Sequence, residues 1–120
     1  RAALRCEYCR LPQSAHPQRM PVDHVVPRKH GGSDDPSNLA LSCTHCNAHK
    51  GSDLVGIDAT TGSMVALFNP RAQVWAEHFE FNGPLVVGKT SAGRVTIAVL
   101  QMNRKDRMES RHALMENGEF

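Results

Sequence analysis

The sequence predicts an α+β fold, a small domain of short strands and short helices, and three observations carry that expectation. Two Cys-x-x-Cys pairs, Cys6/Cys9 and Cys43/Cys46, bracket the first part of the chain. Beside them the apolar residues fall in short runs broken by Gly, Pro, Asn and Asp, the pattern of strands joined by turns. Stretches long enough for regular helices occur only towards the end of the chain.

Taken in order, Arg1–Arg10 leads into the knuckle Cys6-Glu7-Tyr8-Cys9. Leu11–Arg19, rich in Pro, Gln and His, reads as a loop. Met20–Val26 reads as a short strand interrupted by Asp23-His24. Pro27–Asn38 holds Gly, Pro, Asp, Ser and Asn and reads as a long loop, ordered or disordered. Leu39–Ser42 reads as a second strand running into Cys43-Thr44-His45-Cys46, and Asn47–Lys50 as the start of a helix that stops near Gly51.

Further on, Asp58–Gly62 is a turn, and Met64–Phe68 a strand ended by Asn69-Pro70. Val74–Phe81 alternates in part and holds the single Trp, and Leu85–Val87 is another short strand. Ser91 is the expected N-cap of a helix Ala92–Gln101, which Gly93 and the β-branched Val95, Thr96 and Ile97 weaken. Asn103 is the expected cap of a last helix, Arg104–Met115, with Gly118 beyond it. Val65, Leu67, Phe68, Trp75, Phe79, Phe81, Val86 and Val87 are the expected core of this second part. Residues 1–52 thus form one segment, and 53–120 an extension packing on it, within a single compact domain.

At 120 residues the chain supports one domain with a small core, a size at which a metal or disulfide staple is common. Net charge is only +2, but residues 1–52 carry seven Lys/Arg against four Asp/Glu, and residues 53–120 seven against eight. The basic excess lies with the cysteines and histidines, as expected if that part meets phosphate. No apolar run approaches the ~20 residues of a membrane span. Neither a membrane partner nor a signal peptide is expected, although the chain begins abruptly at Arg1. A cytoplasmic setting with reduced thiols follows as the simplest expectation.

All four cysteines fall into the two pairs and none is left over. A two-residue spacer lets a tight knuckle aim both sulfurs at one ion, and two knuckles complete a tetrahedral site suited to Zn²⁺. Such a site is closed, hence structural, and makes a loop of everything between Cys9 and Cys43. Two disulfides, or a redox-active pair, are the alternatives.

Inside that loop stand Asp23-His24-Val25-Val26-Pro27, then His30-Gly31-Gly32-Ser33, then Asn38-Leu39, and after it Cys46-Asn47-Ala48-His49-Lys50-Gly51. A histidine activates water near neutral pH. Asp and Asn oxygens suit a hard cation such as Mg²⁺. Adjacent strand residues point to opposite faces, so bringing Asp23 and His24 to one ion requires a twisted or terminating strand. Each residue also has an ordinary reading: a surface pair, a turn Asn, a helix N-terminal Asn.

Residues 6–51 resemble the HNH endonuclease family in its four-cysteine, His-Asn-Asn form, and the whole layout is similar to small stand-alone bacterial HNH proteins. The resemblance implies a ββα-metal finger: two antiparallel strands and a helix around one divalent ion. It assigns His24 as general base, Asp23 and Asn47 as ligands of a catalytic Mg²⁺ or Mn²⁺, and Asn38 as the brace of the loop that orients the base. Lys50, with Arg28 and Lys29, falls where nucleic acid is contacted. Asn in place of His at position 47 favours Mg²⁺ or Mn²⁺ over softer metals. His45 and His49 are rivals for that ligand, but lie about 200° from Asn47 around a helix. His16 and His30 are expected to be solvated, and His78 and His112 to be structural or surface residues.

The implied activity is hydrolysis of phosphodiester bonds, with double-stranded DNA as the foremost partner. A non-catalytic zinc module that binds nucleic acid and an RNA-directed nuclease remain alternatives. Arg104, Lys105, Arg107 and Arg111 put charge on the last helix, either as a solvated face or as a contact to a DNA backbone; Arg71 and Arg94 are further candidates.

Overall fold

The computed structural model describes residues 3–120; Arg1 and Ala2, the head of the expected lead-in and of the 1–52 segment, lie outside the described residues. The fold is α+β. Its elements in chain order are β1 (Val22–His24), β2 (Leu39–Leu41), α1 (Thr44–Lys50), β3 (Val55–Ile57), β4 (Met64–Ala66), α2 (Trp75–His78), β5 (Phe79–Asn82), β6 (Leu85–Gly88), α3 (Ser91–Leu100) and α4 (Lys105–Glu116). Each pair of successive strands forms an antiparallel hairpin. In the first, Val22 faces Leu41, Asp23 faces Ala40 and His24 faces Leu39. With α1 following directly, β1, β2 and α1 make the ββα unit.

The strands are short because the turn chemistry closes in on them. Between β1 and β2 the loop is ordered by 3-10 turns at Arg28–His30 and Pro36–Asn38. Gly31 ends the first turn at φ 87°, the left-handed region that glycine enters without penalty. A Cβ on Gly32 would overlap the Val26 carbonyl oxygen, so only glycine lets the loop fold back this closely.

Helix α1 begins at Thr44, three residues before the start expected from the sequence. The reason is its cap: Cys43 Sγ accepts a hydrogen bond from Cys46 N at 3.4 Å, so the cysteine knuckle is itself the first helical turn. Val74–Phe81 also departs from its alternating pattern. It makes one helical turn, α2, before entering β5, and the turn stacks Trp75 on Phe79, four residues on, with ring centroids 5.0 Å apart. Helix α3 is capped by Thr90, whose hydroxyl accepts from Gly93 N at 3.1 Å, in place of Ser91. Gly93 looks like a defect in the sequence; in the fold a Cβ there would overlap the His78 carbonyl oxygen, and its absence lets α3 lie against the β5–β6 hairpin. Asn103 does not cap α4. Its amide pairs instead with the backbone of Val86, accepting from N at 2.9 Å and donating to O at 2.8 Å.

One buried cluster runs through the chain. It takes in Tyr8, Leu11, Met20, Val25, Ala40 and the four cysteines together with Leu67, Phe68, Phe79, Val86, Val95, Leu100 and Met102. Of the residues expected in the core, Val65, Trp75, Phe81 and Val87 are only partly buried, while α3 supplies buried side chains outside that expectation. Trp75 Nε1 donates to the Tyr8 carbonyl at 2.8 Å and His45 Nε2 bonds the Gln101 carbonyl at 3.0 Å, so the extension is fastened to the ββα unit by directional contacts as well as by packing. Among the described residues no helix is long and apolar enough to cross a membrane.

Candidate functional site

The cysteine knuckles come together. Cys6, Cys9, Cys43 and Cys46 are fully buried, and their sulfurs lie within 4.8 Å of one another. None is in a disulfide. The Cys9–Cys43 sulfur separation is 3.8 Å, close to the edge of a tetrahedron with Zn–S bonds of about 2.3 Å. Hydrogen bonds among the sulfurs hold the Cys43 thiol below its ordinary pKa and push the Cys46 thiol well above it. Four buried, unoxidised sulfurs at this spacing fit a closed zinc site, and the disulfide alternative has no support in this geometry.

Asp23 and His24 end β1 and diverge as strand neighbours do: Asp23 is buried, while the His24 side chain stays 26% exposed. Asp23 Oδ2 accepts from the Tyr8 hydroxyl at 2.8 Å. Burial, then the adjacent Asp23 charge, pushes the Tyr8 phenol far above its ordinary pKa, so it stays protonated and donates. The second partner of Asp23 is Lys50, whose Nζ lies 3.2 Å from Oδ2 and donates to the His24 carbonyl at 3.0 Å. Lys50, expected at a phosphate, is only 1% exposed and faces inward. Its position on α1, one turn after Cys46, directs its stem under β1, and the buried carboxylate holds it there. In this arrangement it is a partner of Asp23 and cannot be a surface cation.

Asn47, on α1, lines one cleft of about 260 Å³ with Asp23, His24, Pro27 and Arg28. Its amide makes no hydrogen bond among the described residues. Asn38 braces the β1–β2 loop: its Oδ1 accepts from Val26 N at 2.8 Å, and its Nδ2 donates to the carbonyls of Val26 and Ser33 at 2.9 and 2.8 Å. Among the described residues its side chain makes no hydrogen bond to the His24 ring; a further link to that segment is through the backbone, Val25 N donating to Asn38 O. His45 and His49 are engaged elsewhere, on the carbonyls of Gln101 and His45.

At the mouth of the cleft, His24 Nε2 donates to Asp34 Oδ1 at 2.8 Å, and Arg28 Nε reaches the same oxygen at 3.0 Å. Those two partners, His24 first, hold the Asp34 carboxyl below the ordinary carboxylate range. Asp34 lies in a Ser-Asp-Asp-Pro stretch that reads as turn chemistry, so nothing in its sequence context marks it as a partner of His24. Tyr8, inside the first knuckle, was equally hidden. Arg28 and Lys29 are exposed beside the cleft.

The other expectations for basic residues divide. Arg104 and Lys105 are exposed, whereas Arg107 and Arg111 turn inward from α4. Arg71 pairs with Glu7, and Arg94 with Asp58 at 2.9 Å. His30 bonds the Ser52 carbonyl at 3.1 Å. His16 is partly buried: its Nδ1 bonds the Pro12 carbonyl at 2.9 Å, and Nε2 accepts from Arg107 at 2.9 Å. His78 Nδ1 bonds Thr90 Oγ1 at 2.6 Å, and His112 faces Glu116 one turn on.

Residues 6–53 match the HNH endonuclease family. Septu protein PtuB of Bacillus thuringiensis is 26% identical over 111 residues, which cover 87% of this chain and 38% of that protein. The chain therefore spans well under half the length of this curated relative. No solved structure matches it.

Proposed function

We propose that this chain, whose residues 6–53 match the HNH endonuclease family, hydrolyses phosphodiester bonds in nucleic acid, with double-stranded DNA as its foremost substrate. The observation that carries the reading is that Asp23, His24 and Asn47 line one cleft beside the exposed Arg28. The Asn47 amide, without a hydrogen-bond partner among the described residues, and the Asp23 carboxylate are the hard oxygen donors that Mg²⁺ or Mn²⁺ takes. When bound there, the ion supplies charge relief to the phosphate.

His24 is the general base. An ionised Asp34 only accepts, so the imidazole carries its proton on Nε2 and keeps the lone pair on Nδ1. Nδ1 is then the atom that takes a proton from the attacking water. As the ring becomes cationic, Asp34 stabilises it. Asn38 holds the loop that carries Asp34 against Val26, which fixes the distance from carboxylate to base. Lys50 and Tyr8 set the Asp23 carboxylate in place from below. Arg28 and Lys29 receive the backbone phosphates.

One observation favours a second reading, a non-catalytic nucleic-acid-binding zinc module: Lys50 already supplies Asp23 with a positive partner. A single experiment separates the readings. Matched duplex DNA, single-stranded DNA and RNA are incubated with the zinc-loaded protein and Mg²⁺ or Mn²⁺, beside His24→Ala. Metal-dependent cleavage of the duplex that the variant lacks supports the nuclease. Binding without cleavage of any strand supports the module, and cleavage of RNA alone moves the substrate.

A further inference from the structure

The cysteine cluster is faced by positive charge that has no acidic partner. Arg107, on α4, donates through Nη2 to Cys43 Sγ at 3.4 Å, the same group reaching His16 Nε2 at 2.9 Å. One turn further on, Arg111 is 0% exposed. Its Nε donates to the Pro84 carbonyl at 2.6 Å, and its Nη2 to the Met102 carbonyl at 2.7 Å and Asn103 Oδ1 at 3.1 Å. Every one of these acceptors is neutral or a cysteine sulfur. Among the described residues neither arginine has a carboxylate within salt-bridge distance. Arg10, directly after the first knuckle, is half-buried over the Trp75 ring and lacks one too.

Burying a cation without a counter-charge is costly, and dipoles alone offset only part of it. Four neutral thiols, or two disulfides, leave these guanidiniums uncompensated. Four thiolates around Zn²⁺ carry a net charge of −2, which is opposite in sign to the unpaired charges of Arg107, Arg111 and Arg10. The positions agree with this: α4 meets the cluster through a direct N–H···S contact, and its single buried residue is Arg111.

We infer that Arg107 and Arg111 are positioning residues of the zinc centre, and that the dianionic four-thiolate cluster folds α4 onto the knuckles. The zinc then organises the two ends of the chain as well as the loop between Cys9 and Cys43. The N–H···S bond also withdraws charge from the Cys43 sulfur, making it a poorer nucleophile towards electrophiles. The inference rests on the zinc reading and is independent of whether the cleft cleaves nucleic acid.

The test uses the full zinc-loaded chain and three readouts: zinc affinity by competition with a colorimetric chelator, alkylation rate of the cysteines by iodoacetamide, and amide exchange before and after chelation. Arg107→Gln is expected to weaken zinc binding by about tenfold or more, the usual effect of removing a partner of a metal ligand, and to speed alkylation. Arg107→Lys restores much of both, while Lys105→Gln, on the exposed side of the same helix, changes neither. Chelation is expected to remove exchange protection from residues 105–116 along with the knuckles. Zinc affinity and alkylation within twofold of the parent in both Arg107→Gln and Arg111→Met would overturn the inference. So would a fully protected α4 after zinc has left, which decides the matter even if Arg111→Met fails to fold.

Discussion

Lys50 Nζ lies 3.2 Å from Asp23 Oδ2, with the two side chains 1% and 5% exposed. A pair so far from water is expensive to break, because the partner left behind is a buried charge. Lys50→Met is therefore expected to destabilise the zinc-loaded protein by about 3 kcal/mol, read as a lowered urea midpoint with an unchanged slope. Tyr8→Phe removes a neutral donor from the same carboxylate and costs less, about 2 kcal/mol. A Lys50→Met protein as stable as its parent would show that Asp23 does not need the ammonium.

The same burial predicts which basic residues meet phosphate. Arg28→Ala and Lys29→Ala should each reduce the salt dependence of DNA binding by about one unit of slope, since each removes one exposed cation beside the cleft. Lys50→Met should leave the slope unchanged. The slopes come from affinities measured over a series of salt concentrations, and an equal loss in all three variants would contradict the assignment.

Asp34 is predicted to act on the rate and not on binding. Asp34→Asn keeps the size of the side chain but offers no charge to an imidazolium at 2.8 Å. The turnover rate should fall by roughly tenfold, less than the ~10²–10⁴ ascribed to the base itself, with little change in KM. A raised KM at unchanged turnover would mean that Asp34 only shapes the substrate groove.

Much of this was legible in the sequence, and the part that was not has physical reasons. The cysteine clamp was readable because four thiols at fixed spacing have few other uses, and the first hairpin because Asp23-His24 and Asn38-Leu39 sit between strong turn signals. The inward turn of Lys50 was not readable, since a lysine at the end of a short helix looks the same whether it meets water or a carboxylate from another strand. The early start of α1 was hidden because its cap is a cysteine sulfur, outside the usual capping residues. Trp75 and Phe79 fit a partial alternation and a helical i,i+4 pair equally well, and only the stacking of the two rings decided for the helix. Arg107 and Arg111 stand in a charged helix, where nothing local says that the first meets a cysteine sulfur and the second is fully buried.

The pair of Asp58 and Arg94 gives a prediction in pH. The guanidinium at 2.9 Å holds the Asp58 carboxyl well below its ordinary value of 3.8. A depressed native pKa contributes stability that is complete above the unfolded value and is lost as pH falls towards the native one. The stability difference between the parent and Asp58→Asn should thus stay flat from about pH 8 to about pH 5 and close below about pH 4. Acid loss of zinc is common to both proteins and cancels in the difference. A gap that narrows already between pH ~8 and ~5 would assign it to another group.

The central claim is that two metals do two separate jobs, a closed zinc at the cysteines and an exchangeable ion at Asp23 and Asn47. The most direct measurement follows cleavage of supercoiled plasmid by the zinc-loaded protein, with metal content measured in parallel, as free Mg²⁺ is withdrawn by a weak chelator and then restored. The predicted result is that nicking stops on withdrawal and returns with Mg²⁺, while zinc stays at about one per chain throughout. Nicking that persists without Mg²⁺, or that disappears only in step with the zinc, would contradict it.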